Sequence, residues 1–241
     1  MIEVFSSIQG EGLMVGCRQI FVRMAGCNLA CSYCDTPFAP TDSCRIEDAP
    51  GSGLFCGIPN PVPLDLLHDT LYRWLQAIPG VHHSISLTGG EPLLQAESLR
   101  QWLPSLSELL PVHLETNGTL ARSLEPLLPF LDFISMDIKL CSMTGVATPW
   151  DDHRRFLKLA RQKGCQVKAV VGEETPIEEL EQAARLLHEV APAVPLVLQP
   201  VTRDGGMAMS GRTLLDFQTR AARIHPLLRV IPQTHRFVGV L

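Results

Sequence analysis

The sequence is short of basic charge, of aromatic side chains and of long apolar runs. Its 241 residues carry a formal net charge of −5, which argues against broad binding to nucleic acid or to anionic membranes, because both require basic surface. No apolar run approaches the ~20 residues that cross a bilayer. The opening residues, MIEVFSSIQGEG, lack the basic start and apolar centre of a signal peptide, so a cytoplasmic protein is expected.

Cysteine, in contrast, is plentiful, since the chain has eight. Cytoplasmic thiols stay reduced, and the cysteines are therefore interpreted as metal ligands and buried thiols rather than as four disulfides. Charged residues make up 19% of the chain, which is typical of a folded protein. We expect a single domain over residues 1–241.

Short β-rich runs alternate with stretches of helical spacing along most of the chain. The runs are 19–24, 84–88, 112–116, 131–136, 166–171, 195–199 and 228–231. This alternation predicts an α/β fold with outer helices around about six to seven parallel strands. The spacing suits a partial TIM-like barrel and leaves an open doubly wound sheet as the alternative. Unusual motifs follow the strand ends, which favours the barrel, because barrel enzymes carry their sites on that face.

Local signals add detail to this outline. The segment 39–63 is rich in Pro, Gly and Ser and is predicted to be an inserted surface loop. Ser210 is predicted to cap one helix, and Thr175 to Glu178 form a capping box for another.

The strongest chemical signal is GCNLACSYCDT at 26–36, where Cys27, Cys31 and Cys34 fall within eight residues. Three thiolates on one loop can hold three irons of a [4Fe–4S] cluster and leave the fourth iron open. Zinc is the alternative, but a structural zinc site is closed and tetrahedral, and its fourth ligand would have to come from Cys17, Cys44 or Cys56. Polar neighbours such as Asn28 argue against three thiols that serve packing alone.

With TGGEP at 88–92 after the next strand, this motif resembles the radical S-adenosylmethionine superfamily. The resemblance implies that the open iron binds the amino and carboxylate groups of S-adenosylmethionine, and that one electron from the cluster cleaves the sulfonium to a 5′-deoxyadenosyl radical. The glycines allow close approach of backbone to a ligand. Gly90 and Glu91 are expected to accept hydrogen bonds from the methionine ammonium.

Further motifs narrow the resemblance to the 7-carboxy-7-deazaguanine synthase family over nearly the whole chain. They are FSSIQGEG (5–12), FVRMAGCNLACSYCDT (21–36), SLTGGEPLLQ (86–95), ETNGT (115–119), SMDIK (135–139), LQPV (198–201) and QTHRFVGVL (233–241). The resemblance implies a carbon–nitrogen lyase that contracts 6-carboxy-5,6,7,8-tetrahydropterin with loss of ammonia, towards queuosine. It also implies one cluster per subunit, S-adenosylmethionine, Mg²⁺, a homodimer, and an electron donor such as flavodoxin or ferredoxin.

The same resemblance assigns site residues. Substrate is expected at Ile8, Gln9, Gly10, Glu11, Arg23, Thr88, His235 and the terminal carboxylate of Leu241. S-adenosylmethionine is expected at Gly90, Glu91, Ser135, Met136, Asp137, Gln199, Pro200, Val201 and Thr202. Thr36 is expected to ligate Mg²⁺, and Asp35 to bond a coordinated water.

Plainer interpretations stand beside these. Arg23 can be an ordinary strand-end arginine, Met136 an interior residue, and Lys139 and Glu115 a mutual ion pair. For the whole chain, one alternative is an activase that places a glycyl radical on a partner protein. The other is a zinc-stabilised binding protein.

Overall fold

A computed structural model describes residues 1–34, 36, 39–203 and 206–240 of the chain. The strands, in chain order, are β1 (Glu3–Ile8), β2 (Arg18–Met24), β3 (Ser43–Glu47), β4 (Phe55–Pro59), β5 (Ser84–Gly89), β6 (Val112–Thr116), β7 (Phe133–Ile138), β8 (Gly164–Val171), β9 (Leu196–Pro200), β10 (Thr202–Arg203), β11 (Gly206–Met207) and β12 (Leu228–Val230). The α-helices are α1 (Leu64–Ala77), α2 (Ala96–Leu109), α3 (Ala121–Leu124), α4 (Cys141–Thr144), α5 (Trp150–Ala160), α6 (Ile177–Val190), α7 (Gly211–Ala222) and α8 (His235–Val238).

Within these residues, ten strands form one sheet in the order β12-β9-β8-β7-β6-β5-β2-β1-β3-β4. The seven strands from β12 to β2 pair in parallel. Each of the seven predicted β-rich runs overlaps one of them, and the predicted α/β fold with a partial TIM-like barrel is confirmed. Their side chains are largely buried because helices cover parallel strands from outside.

Beyond β2, the sheet continues with β1, β3 and β4. β1 pairs antiparallel with β2, where the rings of Phe5 and Phe21 stack with centroids 5.1 Å apart. The predicted loop at 39–63 is wrong where β3 and β4 lie, because these strands form a hairpin and β3 pairs in parallel with β1. Cys44 and Ile46 are buried in this hairpin, an alternation that the surrounding Pro, Gly and Ser obscure.

The longer helices lie in the stretches of helical spacing between the strands. α1 buries Leu67, Leu71 and Trp74, and no helix among the described residues is long and apolar enough to cross a membrane. Ser210 caps α7 as predicted, since its side chain accepts from the Thr213 amide. The capping box at α6 is wrong, because Thr175 Oγ1 accepts instead from the Gly172 amide, 2.9 Å away.

Candidate active site

A cavity of about 520 Å³ lies where the parallel strands end at their carboxyl termini. All three motif cysteines line it, together with Thr36. From the predicted substrate set, its walls contain Ile8, Gln9, Gly10, Glu11, Arg23, Thr88 and His235. From the predicted cofactor set, they contain Gly90, Ser135, Asp137, Gln199, Val201 and Thr202. Glu91, Met136 and Pro200 are buried behind the walls, and Asp35 and Leu241 lie outside the described residues.

The cysteine loop presents free thiols to this cavity. Burial raises the pKa of the Cys31 thiol, Lys139 opposes the shift, and the nearby Cys34 and Cys27 add to it. Three thiols on one loop at one cavity fit an iron–sulfur cluster, whose irons would stabilise the thiolates. In the described part of the chain, no three His, Cys, Asp or Glu side chains are already arranged to hold one metal ion.

The TGGEP turn packs directly on the cysteine loop. The amide of Gly90 donates to Met24 O at 3.2 Å, and that of Glu91 donates to Gly26 O at 2.8 Å. A Cβ on Gly90 would lie 2.0 Å from Gly26 O, so glycine is required for this approach. Gly89 has φ +118°, which also favours glycine. The two motifs therefore form one surface.

The carboxylate of Glu91 is hydrogen-bonded within the protein and does not face the cavity. This fully buried carboxylate accepts from the amides of Leu93 (3.0 Å) and Asn117 (2.7 Å) and from Thr116 Oγ1 (2.9 Å). Burial raises the pKa of Glu91, and these bonds oppose the shift. Asn117 in turn donates from Nδ2 to Asn28 Oδ1 at 2.8 Å, which ties the ETNGT turn to the cysteine loop.

The QGEG turn is held by its own glutamine. Gln9 Nε2 donates to Gln19 Oε1 (2.9 Å) and Glu115 Oε1 (3.0 Å), and Gln9 Oε1 accepts from the Glu11 amide (3.0 Å). Glu115 also accepts from Ser86. The plainer interpretation, an ion pair between Lys139 and Glu115, is not seen among the described residues. Lys139 instead pairs with Asp137, with Nζ and Oδ2 2.6 Å apart.

The segment 233–235, near the C-terminus, contacts the QGEG turn, which lies 222 or more residues earlier in the sequence. The Thr234 amide donates to Gly10 O at 2.8 Å, and Gln233 Nε2 donates to Glu11 Oε1 at 2.8 Å. A Cβ on Gly10 would lie 2.1 Å from His235 Nδ1, so only glycine permits this contact. His235 is thereby brought to the cavity.

Arg23 also lines the cavity and is in register with Thr88 of the neighbouring strand. Its Nε lies 2.8 Å from Glu3 Oε1, and its guanidinium lies 5.4 Å from the centre of the Phe5 ring. These contacts hold a cation at the edge of the cavity. Arg23 thus combines the structural role of a strand-end arginine with a position open to a ligand carboxylate.

Two buried oxygens among the residues predicted to bind S-adenosylmethionine have no partner in the described part of the chain. They are Asp137 Oδ1 and Gln199 Oε1, and both residues line the cavity. Buried acceptors are normally bonded, so an unpaired one at a cavity indicates a ligand donor. Ribose hydroxyls or an adenine amino group would supply such donors.

Other residues predicted to bind S-adenosylmethionine already bond to groups of the protein. Ser135 Oγ bonds His113 Nε2 (2.7 Å) and accepts from Gln166 Nε2 (2.6 Å). The Val201 amide donates to Val171 O, and Val201 O accepts from Ala208. Met136 is fully buried against Gly118, in agreement with an interior role.

Sequence reasoning missed the lysine of β8, Lys168, which lines the cavity and donates to the Glu11 carboxylate. Its Nζ is also 3.7 Å from Asp137 Oδ2. A signal was present, since Lys168 is the one charge within the otherwise uncharged run QVKAVV. A lone charge in a buried strand is costly and usually has a partner or a function.

The chain is similar to known radical enzymes. The Radical SAM superfamily model matches residues 21–187. The 7-carboxy-7-deazaguanine synthase of Geobacter sulfurreducens is 48% identical over 99% of this chain and 96% of its own. That of Methanothermobacter thermautotrophicus is 34% identical over 100% and 97%. The crystal structure of QueE from Escherichia coli aligns with a TM-score of 0.59 at 21% identity, covering 97% of this chain and 92% of that one.

Proposed function

Because the chain belongs to the radical S-adenosylmethionine superfamily and, within it, to the 7-carboxy-7-deazaguanine synthase family, we propose that it forms 7-carboxy-7-deazaguanine. The reaction is a radical ring contraction of 6-carboxy-5,6,7,8-tetrahydropterin with loss of ammonia, which makes the enzyme a carbon–nitrogen lyase. One observation carries the proposal: the cysteine loop, the QGEG turn and His235 border a single cavity of about 520 Å³.

The cluster and S-adenosylmethionine belong at the cysteine end of this cavity. Cys27, Cys31 and Cys34 are the proposed cluster ligands, and the bound pair supplies the radical that starts the reaction. Asp137 Oδ1 and Gln199 Oε1 accept from the nucleoside, a role supported by their lack of other partners among the described residues. The backbone of Gly90 approaches the methionine end, which is the second reason for its missing side chain.

The pterin belongs between Arg23 and Glu11. The guanidinium of Arg23 binds the carboxylate of the substrate, and the carboxylate of Glu11 accepts from the guanidine-like edge of the pterin ring. Lys168 and Gln233 keep Glu11 ionised for that purpose. Thr36 supplies the proposed Mg²⁺ ligand beside the substrate carboxylate. His235 closes the site from the C-terminal segment.

The remaining proposals concern the enzyme as a whole. We propose one cytoplasmic domain that acts as a homodimer and receives its electron from a flavodoxin or a ferredoxin. A small-molecule substrate is supported by the size of the cavity and by the polar groups along its walls.

The proposal is tested with anaerobically reconstituted enzyme, a chemical reductant, S-adenosylmethionine, Mg²⁺ and 6-carboxytetrahydropterin. We expect a product with the ultraviolet spectrum and mass of 7-carboxy-7-deazaguanine. Cleavage of S-adenosylmethionine without a deazapurine would reject the proposal and favour the glycyl radical activase. Zinc without labile sulfide in the purified protein would reject both radical alternatives. Omission of Mg²⁺ in the same assay measures how far the reaction requires it.

A further inference from the structure

An unbroken chain of charged groups crosses one wall of the cavity. It begins at Glu11 in the QGEG turn, passes through Lys168 of β8 to Asp137 of β7, and continues to Lys139. Lys139 Nζ then donates to the hydroxyl of Tyr33 at 3.0 Å, within the cysteine loop. The chain therefore links the turn assigned to the pterin with the loop assigned to the cluster.

Lys168 is the central cation of this chain. Its side chain is 14% exposed, and both carboxylates that it contacts are also largely buried. A buried ammonium requires such partners, and each carboxylate likewise requires the cation. Lys168 stands on a central strand, between β7 and β9, so its position is fixed by the sheet.

The two carboxylates use Lys168 differently. The oxygens of Glu11 are bonded to Lys168 and to Gln233, an arrangement that fixes the plane of the carboxylate. Asp137 receives both lysines on Oδ2, which leaves Oδ1 unpaired among the described residues. One ammonium thus orients an acceptor on the pterin side and helps to free an acceptor on the cofactor side.

We propose that Lys168 is a positioning residue that holds Glu11 as a fixed, ionised acceptor for the pterin and acts on substrate binding through Glu11. This inference rests on the proposed function. Burial by itself would raise the pKa of Glu11, but Lys168, with smaller help from Gln233 and His235, holds it at about 2. Asp137 of β7 and Lys139, which directly follows β7, also act on Lys168 with charges of opposite sign.

The test measures pterin affinity at equilibrium with unreduced holoenzyme and S-adenosylmethionine, so that no turnover is needed. Lys168→Met is expected to weaken 6-carboxytetrahydropterin binding by at least ~30-fold, because it leaves a buried charge unpaired. Lys158→Met, on the exposed face of α5, is the matched control and should bind within about twofold of the wild type.

A double variant separates positioning from direct contact. If Lys168 acts through Glu11, Glu11→Gln with Lys168→Met binds pterin within about threefold of Glu11→Gln alone. Losses that multiply, or an unchanged affinity of Lys168→Met, would overturn the proposal. The double variant contains no unpaired Glu11, so it decides the question even where Lys168→Met alone fails to fold.

A second arm needs no pterin. The ¹³C signal of the Glu11 carboxyl, identified by its loss in Glu11→Gln, is followed from about pH 7.5 to 5 in ligand-free enzyme. We expect Glu11 to remain ionised in the wild type and in Lys168→Arg and to take up a proton in Lys168→Met. Continued ionisation in Lys168→Met would overturn the proposal. Failure of the wild type to bind pterin would instead reject the proposed function, while this arm still decides the role of Lys168.

Discussion

Two buried carboxylates, Glu47 in the β3–β4 hairpin and Asp137 at the end of β7, are nearly equal in exposure but opposite in their bonding. Glu47 is 3% exposed and accepts from the amides of Ser6 (3.0 Å), Gly51 (2.9 Å) and Gly53 (2.7 Å). Asp137 is 8% exposed, takes two lysines on one oxygen and leaves the other without a partner among the described residues.

The difference separates a structural region from a chemical one. Backbone amides are fixed by the fold, so a carboxylate that they satisfy stabilises the hairpin and has no acceptor left for a ligand. A carboxylate with a free buried oxygen carries a cost that a bound donor would remove. The hairpin should therefore govern stability, and the cavity should govern binding and activity.

The largest expected effect comes from the cysteines of the two regions. Cys31→Ala should abolish the cluster and lower product formation by more than ~10³-fold, because an iron loses its ligand. Cys56→Ala changes an exposed thiol of β4 that bonds Asp48 at 2.8 Å, and should keep the iron, the sulfide and the activity. Equal iron loss in both variants would contradict the separation of a structural hairpin from a chemical cavity.

The converse prediction concerns stability. Glu47→Gln should lower the free energy of unfolding by about 2–3 kcal/mol, because one amide nitrogen would then face backbone donors. The value of kcat/KM measured at 25 °C should remain within about twofold of the wild type, because Glu47 lies outside the cavity. Urea unfolding of the holoenzyme gives the first quantity. A large loss of kcat/KM with unchanged stability would assign the hairpin to the active site.

A matched pair of glycine substitutions should differ by an effect of intermediate size on the KM for the pterin. Gly10→Ala places a Cβ against His235 and should raise the KM for the pterin by roughly tenfold, or about 1.4 kcal/mol. Gly57→Ala, in β4, meets nothing within 4 Å and should leave the KM unchanged. Steady-state kinetics decide between the two, and an unchanged KM in Gly10→Ala would remove His235 from the proposed site.

A pH dependence of about the same size as the Gly10→Ala effect is expected behind the cavity. His153 of α5 is fully buried, its Nε2 lies 3.2 Å from Asn117 O, and burial lowers its pKa from 6.5 to about 4. Its folded pKa is depressed, so stability is complete above pH 6.5 and declines as the pH falls towards 4. His153 should account for about 1.4 kcal/mol at pH 5.5.

The measurement for this prediction is the difference in unfolding free energy between pH 7.5 and 5.5, for the wild type and for His153→Gln. The variant should lose less stability on acidification. An identical loss in both proteins would show that His153 is protonated in the folded state.

Much of this architecture is predictable from sequence because it follows local pattern. The seven parallel strands show as apolar runs, and the cysteine spacing and TGGEP indicate the site through residue type and order alone. The β3–β4 hairpin was not predictable, since its pairing with β1 is a long-range contact and its flanks resemble a loop.

The bonding of individual site residues was also beyond the sequence. Motif identity marks Glu91 as a ligand residue but does not show that its carboxylate satisfies Asn117 and Leu93 instead. Lys168 lies outside every motif, and its partner Glu11 is 157 residues away along the chain. Such pairings depend on how strands are ordered in the sheet.

We propose that the unpaired acceptors of the cavity, Asp137 Oδ1 and Gln199 Oε1, are ligand-binding groups. The decisive measurement is the affinity of the holoenzyme for S-adenosylmethionine in two variants: Gln199→Met, which removes the unpaired Oε1, and Glu47→Gln. We predict about tenfold weaker binding in Gln199→Met and unchanged binding in Glu47→Gln. Wild-type affinity in Gln199→Met, with weakened binding in Glu47→Gln, would contradict the claim.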